Sequence, residues 1–424
     1  MGIFTSHLGF EALEGYAGED GFYEKTDRGI HEYVGDSFIE DVHEGVGVLA
    51  DGLSPTPGGP FSALTPLMRP QETLTKLGQP GDPNSQPDYR FDEFGFRVEE
   101  EDGPEQNSNK LLGIPFVEDP QHRLQWVAYL EFNQNQEVCD LTWDKVEVTL
   151  PRTEKLKAMV RAGIPHTLRP PMWMRLSGAL KKKLSCGMNY KEVVKASSND
   201  ALMTSKQIEK DLLRTLPGNA CFSHRDSKGI PRLRRVLRSL ALVYPHVGYC
   251  QGTGMMAAVL LLVMGEEDTF WMMCAIIENL LPASYHHSTL IGIQADQHVL
   301  RSFIANYLPD VDAALSKHDL DLSLITLNWF LTFFASVVHM KVLLRIWDLL
   351  FLDGSIILFK VALGILKIKE PALKNLENYA QIFKVFSDIA GDIDDVDNLI
   401  EVSMGVAPSL SDVSIETHRR HHLL

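Results

Sequence analysis

The sequence predicts an all-α fold of irregular helices behind an acidic N-terminal arm of low order, and three observations carry that expectation. Apolar residues recur at helical intervals from residue 152 onward, prolines and glycines punctuate the ends of those segments, and residues 1–118 show no sustained period of 3.6 or 2. With 424 residues, 45% of them hydrophobic, the chain has material for a large core and for two or three domains.

Residues 1–118 mix Gly, Pro, Asp and Glu ("LSPTPGGP", "GQPGDPNSQPD", "VEEEDGPEQNSN") and hold 23 acidic side chains against 7 basic ones, which accounts for the whole net charge of -16. Such a composition predicts a largely disordered arm. Within it "YRFDEFGFRV" (89–98) reads as a strand or as a segment docked on the folded part. In the pre-domain segment 119–151, "WVAYLEF" (126–132) and "KVEVTL" (145–150) have the composition of short strands.

The helical pattern begins with "TEKLKAMVRAG", closed by Gly163, and continues after Pro170-Pro171 with "MWMRLSGALKKKL". "SKQIEKDLLRTL" stops at Pro217-Gly218, and "PRLRRVLRSLALVY" opens on a proline and ends at Pro245, as helix-start and helix-stop chemistry predicts. "DTFWMMCAIIENLLP", "DQHVLRSFIANYLP", "LSLITLNWFLTFFASVV", "KVLLRIWDLLFLDG" and "SIILFKVALGILKIKE" follow, each long enough for a helix. Several are apolar nearly all round, which places them inside a layered helical body. No fixed repeat length links them, so a solenoid is not expected.

Several functions are removed by inspection. No apolar stretch approaches the ~20 residues of a membrane-spanning helix, and the start lacks a secretory layout, so a soluble chain in the cytoplasm is expected. Five cysteines (Cys139, Cys186, Cys221, Cys250, Cys274) without a CxxC pair predict reduced thiols. GxxxxGKS/T, HExxH and GxSxG are absent, and "GTG" (252–254) lacks the third glycine and preceding strand of a dinucleotide fingerprint. "DIDDVDN" (392–398) lacks the glycine and glutamate of a calcium loop, and the histidines of the terminal "THRRHHLL" read as solvated, so no metal site is expected.

Charge within the folded part is uneven. Residues 151–240 hold 20 basic and 6 acidic side chains, while residues 241–424 hold 11 and 21. This reads as a positive face suited to an anionic membrane or an acidic, phosphate-bearing protein, with nucleic acid least supported because no recognition module accompanies it. Lys181, Lys182 and Lys183 read as solvated. "MGIFTS" matches the pattern for N-myristoylation at Gly2, but one acyl chain binds only marginally and the acidic arm opposes an anionic surface, so an unmodified start is favoured.

Two stretches draw the functional question. In "GYCQGTG" (248–254) an uncharged Gln251 stands before the apolar run "MMAAVLLLVM"; a carboxamide neither titrates nor attacks, so it can only position something. In "IEKDLLRT" (208–215) Asp211 and Arg214 are three apart on one helix face, which by itself is an ordinary ion pair of ~0.2–0.5 kcal/mol. Arg345 and Asp348 have the same spacing and read as an ion pair, and Trp173, Trp329 and Trp347 read as core.

"RAGIPHTLRPPMWMRLSG", "IEKDLLRT", "GYCQGTGMMAAVLLL", "DLSLITLNWFLTFF" and "LLRIWDLLFLDG", in that order over about 200 residues, resemble the signature of the TBC domain of Rab GTPase-activating proteins. The likeness extends upstream through "DEFGFRV" and "DLTWDK" and downstream through "LSDVSIETHRRHHL" to a subgroup whose members continue into SH3 and RUN domains. The resemblance implies a TBC domain over 152–402, with its core at 163–354 and a tail at 403–424. It implies Arg214 as an arginine finger and Gln251 as a glutamine finger, with Asp211 and Tyr249 in support, Arg169 and Trp173 bracing the finger region, and Gly252 and Gly254 allowing close approach of the partner. That partner is a GTP-bound Rab-family GTPase, with Rap also open, and it binds the GTP and Mg²⁺ itself; the chain needs no cofactor of its own. The expected role is a GTPase activator in vesicle trafficking, cytoplasmic or peripheral on vesicle membranes. A non-catalytic scaffold of the same fold, or one recruiting through its acidic arm, is the alternative.

Overall fold

The structure, a computed structural model, describes residues 90–98, 118–132 and 142–423, with short breaks at 283–284, 286–289 and 319–320 and others within 374–394. The arm before residue 90, Gly2 included, and Cys139 lie outside the described residues.

A two-residue hairpin opens the described chain: β1 (Arg90–Phe91) pairs antiparallel with β2 (Arg97–Val98). The helices follow as α1 (Pro120–Phe132), α2 (Glu154–Ala162), α3 (Arg169–Leu176), α4 (Ala179–Ser185), α5 (Tyr190–Ala196), α6 (Met203–Thr215), α7 (Gly229–Val243) and α8 (Gln251–Val263). The second half holds α9 (Glu266–Ala275), α10 (Ile291–Tyr307), α11 (Pro309–Lys317), α12 (Ser323–Leu331), α13 (Met340–Asp353), α14 (Ile356–Leu373), α15 (Val396–Gly405) and α16 (Asp412–Leu423). The fold is the expected irregular all-α body.

Local chemistry explains the boundaries. Thr153 caps α2 by accepting from the Leu156 N–H at 3.2 Å, Leu156 and Val160 turn inward, and Gly163 ends the helix at φ 105°, a region unfavourable to any side chain. α8 is buried along its whole run from Met256 to Met264 and packs against α6, α7, α9 and α12, which makes it a central post of the fold. Trp173, Trp329 and Trp347 are core residues, as expected. α12 is shorter than its apolar run because Phe333 and Phe334 both adopt left-handed backbone, at φ 51° and 65°. Their rings are fully buried, and Trp347 Nε1 donates to the Phe333 carbonyl at 3.0 Å, which holds the turn.

Three expectations are corrected. "WVAYLEF" is the end of helix α1: Trp126, Tyr129 and Leu130 fall on one buried helical face, and Trp126 Nε1 donates to the Gly163 carbonyl at 3.0 Å. "KVEVTL" is turn and bend, because the buried Arg175 takes the place of a partner strand, donating to the carbonyls of Trp143 (2.7 Å) and Glu147 (3.0 Å). Arg345 does not pair with Asp348; it reaches Asp397 at 2.9 Å, while Asp348 points into the core. The tail forms a docked helix, with α16 packed on α10, Arg419 paired with the buried Asp296 at 2.6 Å and His418 edge-on to Phe303, while His421 and His422 are exposed as expected.

Part of the positive face is paired. Arg234 and Arg238 meet Glu209, Arg235 meets Glu266, Lys182 meets Glu278 and Lys183 meets Asp268, all within 3 Å. Three of these pairs, at Glu266, Glu278 and Asp268, join the basic segment to the acidic one, so Lys182 and Lys183 are not simply solvated.

Candidate functional site

α6 presents Arg214 in its last turn. Ile208, Leu212 and Thr215 anchor the helix inward, and Asp211 is buried beside them, while the Arg214 side chain stays 63% exposed. An ion pair joins Arg214 to Asp211. Asp211 Oδ2 also accepts from the Tyr249 hydroxyl at 3.0 Å, so the loop before α8 is tied to the helix that carries Arg214. Burial and the Asp211 carboxylate push the Tyr249 phenol well above its ordinary pKa, which keeps it a donor at any physiological pH.

Gln251 is the first residue of α8, with Cys250 at the cap. Its side chain lies outside the described residues. The next residue, Gly252, and Arg214 line the same open cavity of about 260 Å³, together with Asp211, Thr215, Met255 and Leu331. The start of α8 and the end of α6 thus converge, although 37 residues separate the two side chains of interest in sequence.

The far wall of this cavity is polar. Asn328, Thr332 and Ser336 line it, the Asn328 amide donating to Ser336 Oγ at 2.8 Å and Thr332 Oγ1 lying 2.8 Å from the same hydroxyl. Sequence reasoning missed these three. Their spacing of four within an otherwise apolar run was the available signal.

On the side where a Cβ would stand, both glycines face their own chain. A Cβ on Gly252 would collide with the Leu331 carbonyl oxygen and come within 2.6 Å of Leu331 Cγ; one on Gly254 would meet the Tyr249 hydroxyl at 3.2 Å and Thr215 Oγ1 at 3.5 Å. Close packing of α8 on α12 and α6 demands small residues there.

Arg169 and Trp173 gather elsewhere. Asp348, fully buried, accepts from the Ile164 N–H (3.1 Å), Arg169 Nε (3.0 Å) and Nη2 (2.9 Å), and Trp173 Nε1 (2.8 Å). Arg169 also contacts the His166 ring, which burial and the Arg169 charge hold neutral, its pKa far below the ordinary value. This network locks the 163–168 turn onto α13, and neither residue lines the Arg214 cavity. Among the described residues no group of three or more His, Cys, Asp or Glu is arranged to hold a metal ion.

With this geometry in view, comparison with known proteins gives the family. Residues 166–374 match the Rab-GTPase-TBC domain. The chain carries a TBC domain. It is 57% identical over 375 residues to the small G protein signaling modulator 3 homolog of Xenopus laevis, covering 88% of this chain and 50% of that one. Against the human small G protein signaling modulator 3 the identity is 58% over 365 residues, 86% of this chain and 49% of the relative. The chain therefore spans about half the length of the curated relatives it matches. Among solved structures, the Chlamydomonas flagellar RabGAP TBC domain is similar at a TM-score of 0.56 and 29% identity, over 67% of this chain and 90% of that one. The TBC match leaves out the β1–β2 hairpin, α1, α2, α15 and α16. No helix among the described residues is long and apolar enough to cross a membrane.

Proposed function

We propose that the chain is a GTPase-activating protein for a Rab-family small GTPase, with Arg214 and Gln251 completing the partner's active site in trans. What supports this reading is the meeting of an exposed guanidinium and the first turn of α8 at one open cavity, within a TBC domain. The GTP and its Mg²⁺ belong to the partner, and the chain has no substrate of its own. A Rab partner implies a role in vesicle trafficking, with the chain reaching membranes through that partner; Rap GTPases are the other class to be tested.

Hydrolysis of GTP loads negative charge onto the leaving β-phosphate and its bridging oxygen. The forked, permanently charged guanidinium of Arg214 neutralises that charge without moving a proton. Its pair with Asp211 is solvent-exposed on the arginine side, so the guanidinium is free to turn outward, and the Tyr249 hydroxyl stays on the buried carboxylate when it does. Gln251 supplies a carboxamide that both accepts and donates, which suits holding the attacking water in line.

Single-turnover GTP hydrolysis across a panel of Rab and Rap proteins tests this with the wild-type chain, Arg214→Ala and Gln251→Ala. Loss of a trans-acting arginine costs ~10³–10⁵ in rate, or roughly 4–7 kcal/mol of barrier, far beyond any effect of an exposed helix pair. Equal rates for all three proteins on every GTPase reject the catalytic role. Binding that ignores the nucleotide in the same panel would point to a scaffold instead.

A further inference from the structure

We propose that residues 90–98 are a clip that sets the position of Arg214 by pinning the turn 216–222 behind it. The proposal rests on the function proposed above. A hairpin of two residues per strand has no stability of its own in water, so its conformation is held by what it docks on, and it holds that surface in return.

Three hydrogen bonds join the two segments. The Arg97 N–H donates to the Gly218 carbonyl at 2.8 Å, the Ala220 N–H donates to the Gly95 carbonyl at 2.8 Å, and the fully buried Asn219 donates from Nδ2 to the Phe94 carbonyl at 3.0 Å. The same hairpin is anchored on two other parts of the fold. Phe94 is fully buried with its ring edge-on to His166, and Glu93 forms a 3.0 Å ion pair with Lys341 at the start of α13. The turn that it grips begins at Leu216, the C-cap of α6, where the Asn219 N–H returns to the Leu216 carbonyl at 3.1 Å.

Helix ends fray, and Arg214 sits in the last turn before this cap. A finger displaced by about 1 Å can lose on the order of 10²-fold in rate. Without the clip the buried Asn219 amide and the Gly218 carbonyl lose their partners, and the end of α6 is tethered on one side only. The clip thus makes a segment upstream of the family match part of the working site: Arg97 and Phe94 act as positioning residues through the turn, without touching the partner.

In the 424-residue chain, Arg97→Pro removes the donor to Gly218, Arg97→Ala keeps it, and Phe94→Ala removes the buried anchor. With a responsive Rab, Arg97→Pro and Phe94→Ala are expected to lower kcat by ~10- to 100-fold with KM for the GTPase within about twofold, while Arg97→Ala stays near wild type. In an Arg214→Ala background neither change should lower the rate further. Amide exchange of residues 215–222 should accelerate at least about tenfold in Arg97→Pro, with α13 and α14 unchanged. An unaltered kcat in both variants, a further loss in the Arg214→Ala background, or unaltered exchange at 215–222 overturns the clip. If no GTPase responds to the wild-type chain, the proposed function falls instead, and the exchange measurement alone decides whether the clip holds the turn.

Discussion

The Tyr249 hydroxyl donates to Asp211 Oδ2 at 3.0 Å while the other oxygen of that carboxylate meets the Arg214 guanidinium. Asp211 is buried, so it needs partners, and it has one that is exposed and one that is half-buried. In the proposed mechanism Arg214 turns to a phosphate, and Tyr249 then keeps half of the carboxylate satisfied and holds the loop before α8 against α6. Tyr249→Phe should therefore destabilise the fold by about 1–2 kcal/mol, the cost of a buried acceptor left short of a donor. It should also slow GTP hydrolysis far less than Arg214→Ala does. Urea unfolding and single-turnover rates measured on the same samples check both; a loss as deep as that of Arg214→Ala would make Tyr249 a participant in the chemistry.

Gly252→Ala tests the packing of α8 on α12. The added methyl would strike the Leu331 carbonyl, a backbone atom that cannot rotate away, and overpacking of that kind costs ~1–3 kcal/mol or more. Gly254→Ala meets the Tyr249 hydroxyl at 3.2 Å, Thr215 Oγ1 at 3.5 Å and Leu237 Cδ1 at 3.8 Å, side-chain atoms that can give, and should cost under about 1 kcal/mol. Thermal melts of the two variants should rank them in that order; a reversed ranking would show that α8 does not sit against Leu331.

The contrast between α1 and α13 shows how far the sequence can be read. The helices from 152 onward are legible because their apolar spacing and their Pro and Gly boundaries agree. Seven residues of "WVAYLEF" satisfy both periods, and only the wider run from Pro120, with Trp126, Tyr129 and Leu130 on one face, distinguishes helix from strand. Arg345 and Asp348 fail for another reason: α13 is buried nearly all round, so Asp348 answers Arg169, 179 residues away, and no local spacing encodes such a partner. The convergence of Arg214 with the start of α8 is likewise tertiary. Residue type and family likeness pointed to it, whereas the polar wall of Asn328, Thr332 and Ser336 carried only its own spacing.

Asp348→Ala should be among the most damaging single changes in the chain. It would leave the Arg169 guanidinium without its countercharge in a buried site and orphan the Trp173 indole N–H and the Ile164 N–H together. Breaking a buried ion pair from one side costs ~3–5 kcal/mol, much of it from the stranded charge. The double variant Asp348→Ala with Arg169→Met should recover part of that loss. Chemical denaturation of the two single variants and the double one measures the coupling, and purely additive losses would show that the pair is not the source of the cost.

Asp92 gives the clip a pH signature with a definite sign. Its Oδ1 accepts from the Phe94 and Phe96 N–H groups at 2.9 and 2.8 Å, yet burial, with Glu93 adding repulsion, pushes its carboxyl up to about 6. A carboxyl that binds its proton more tightly folded than unfolded contributes its stabilisation fully below pH 3.8 and has lost it once the pH has risen through 6. At pH 7.5 the charged form is therefore a cost, on the order of 2 kcal/mol after allowance for solvent screening. Asp92→Asn keeps an oxygen for both N–H groups without the charge. It should raise stability at pH 7.5 and leave it unchanged near pH 4, while Asp92→Ala, which strands both donors, should lower it at either pH. Melting temperatures taken between pH 4 and 7.5 decide the matter, and an Asp92→Asn variant less stable than wild type at pH 7.5 would show that the carboxylate charge is wanted there, where the Lys341 cation favours it.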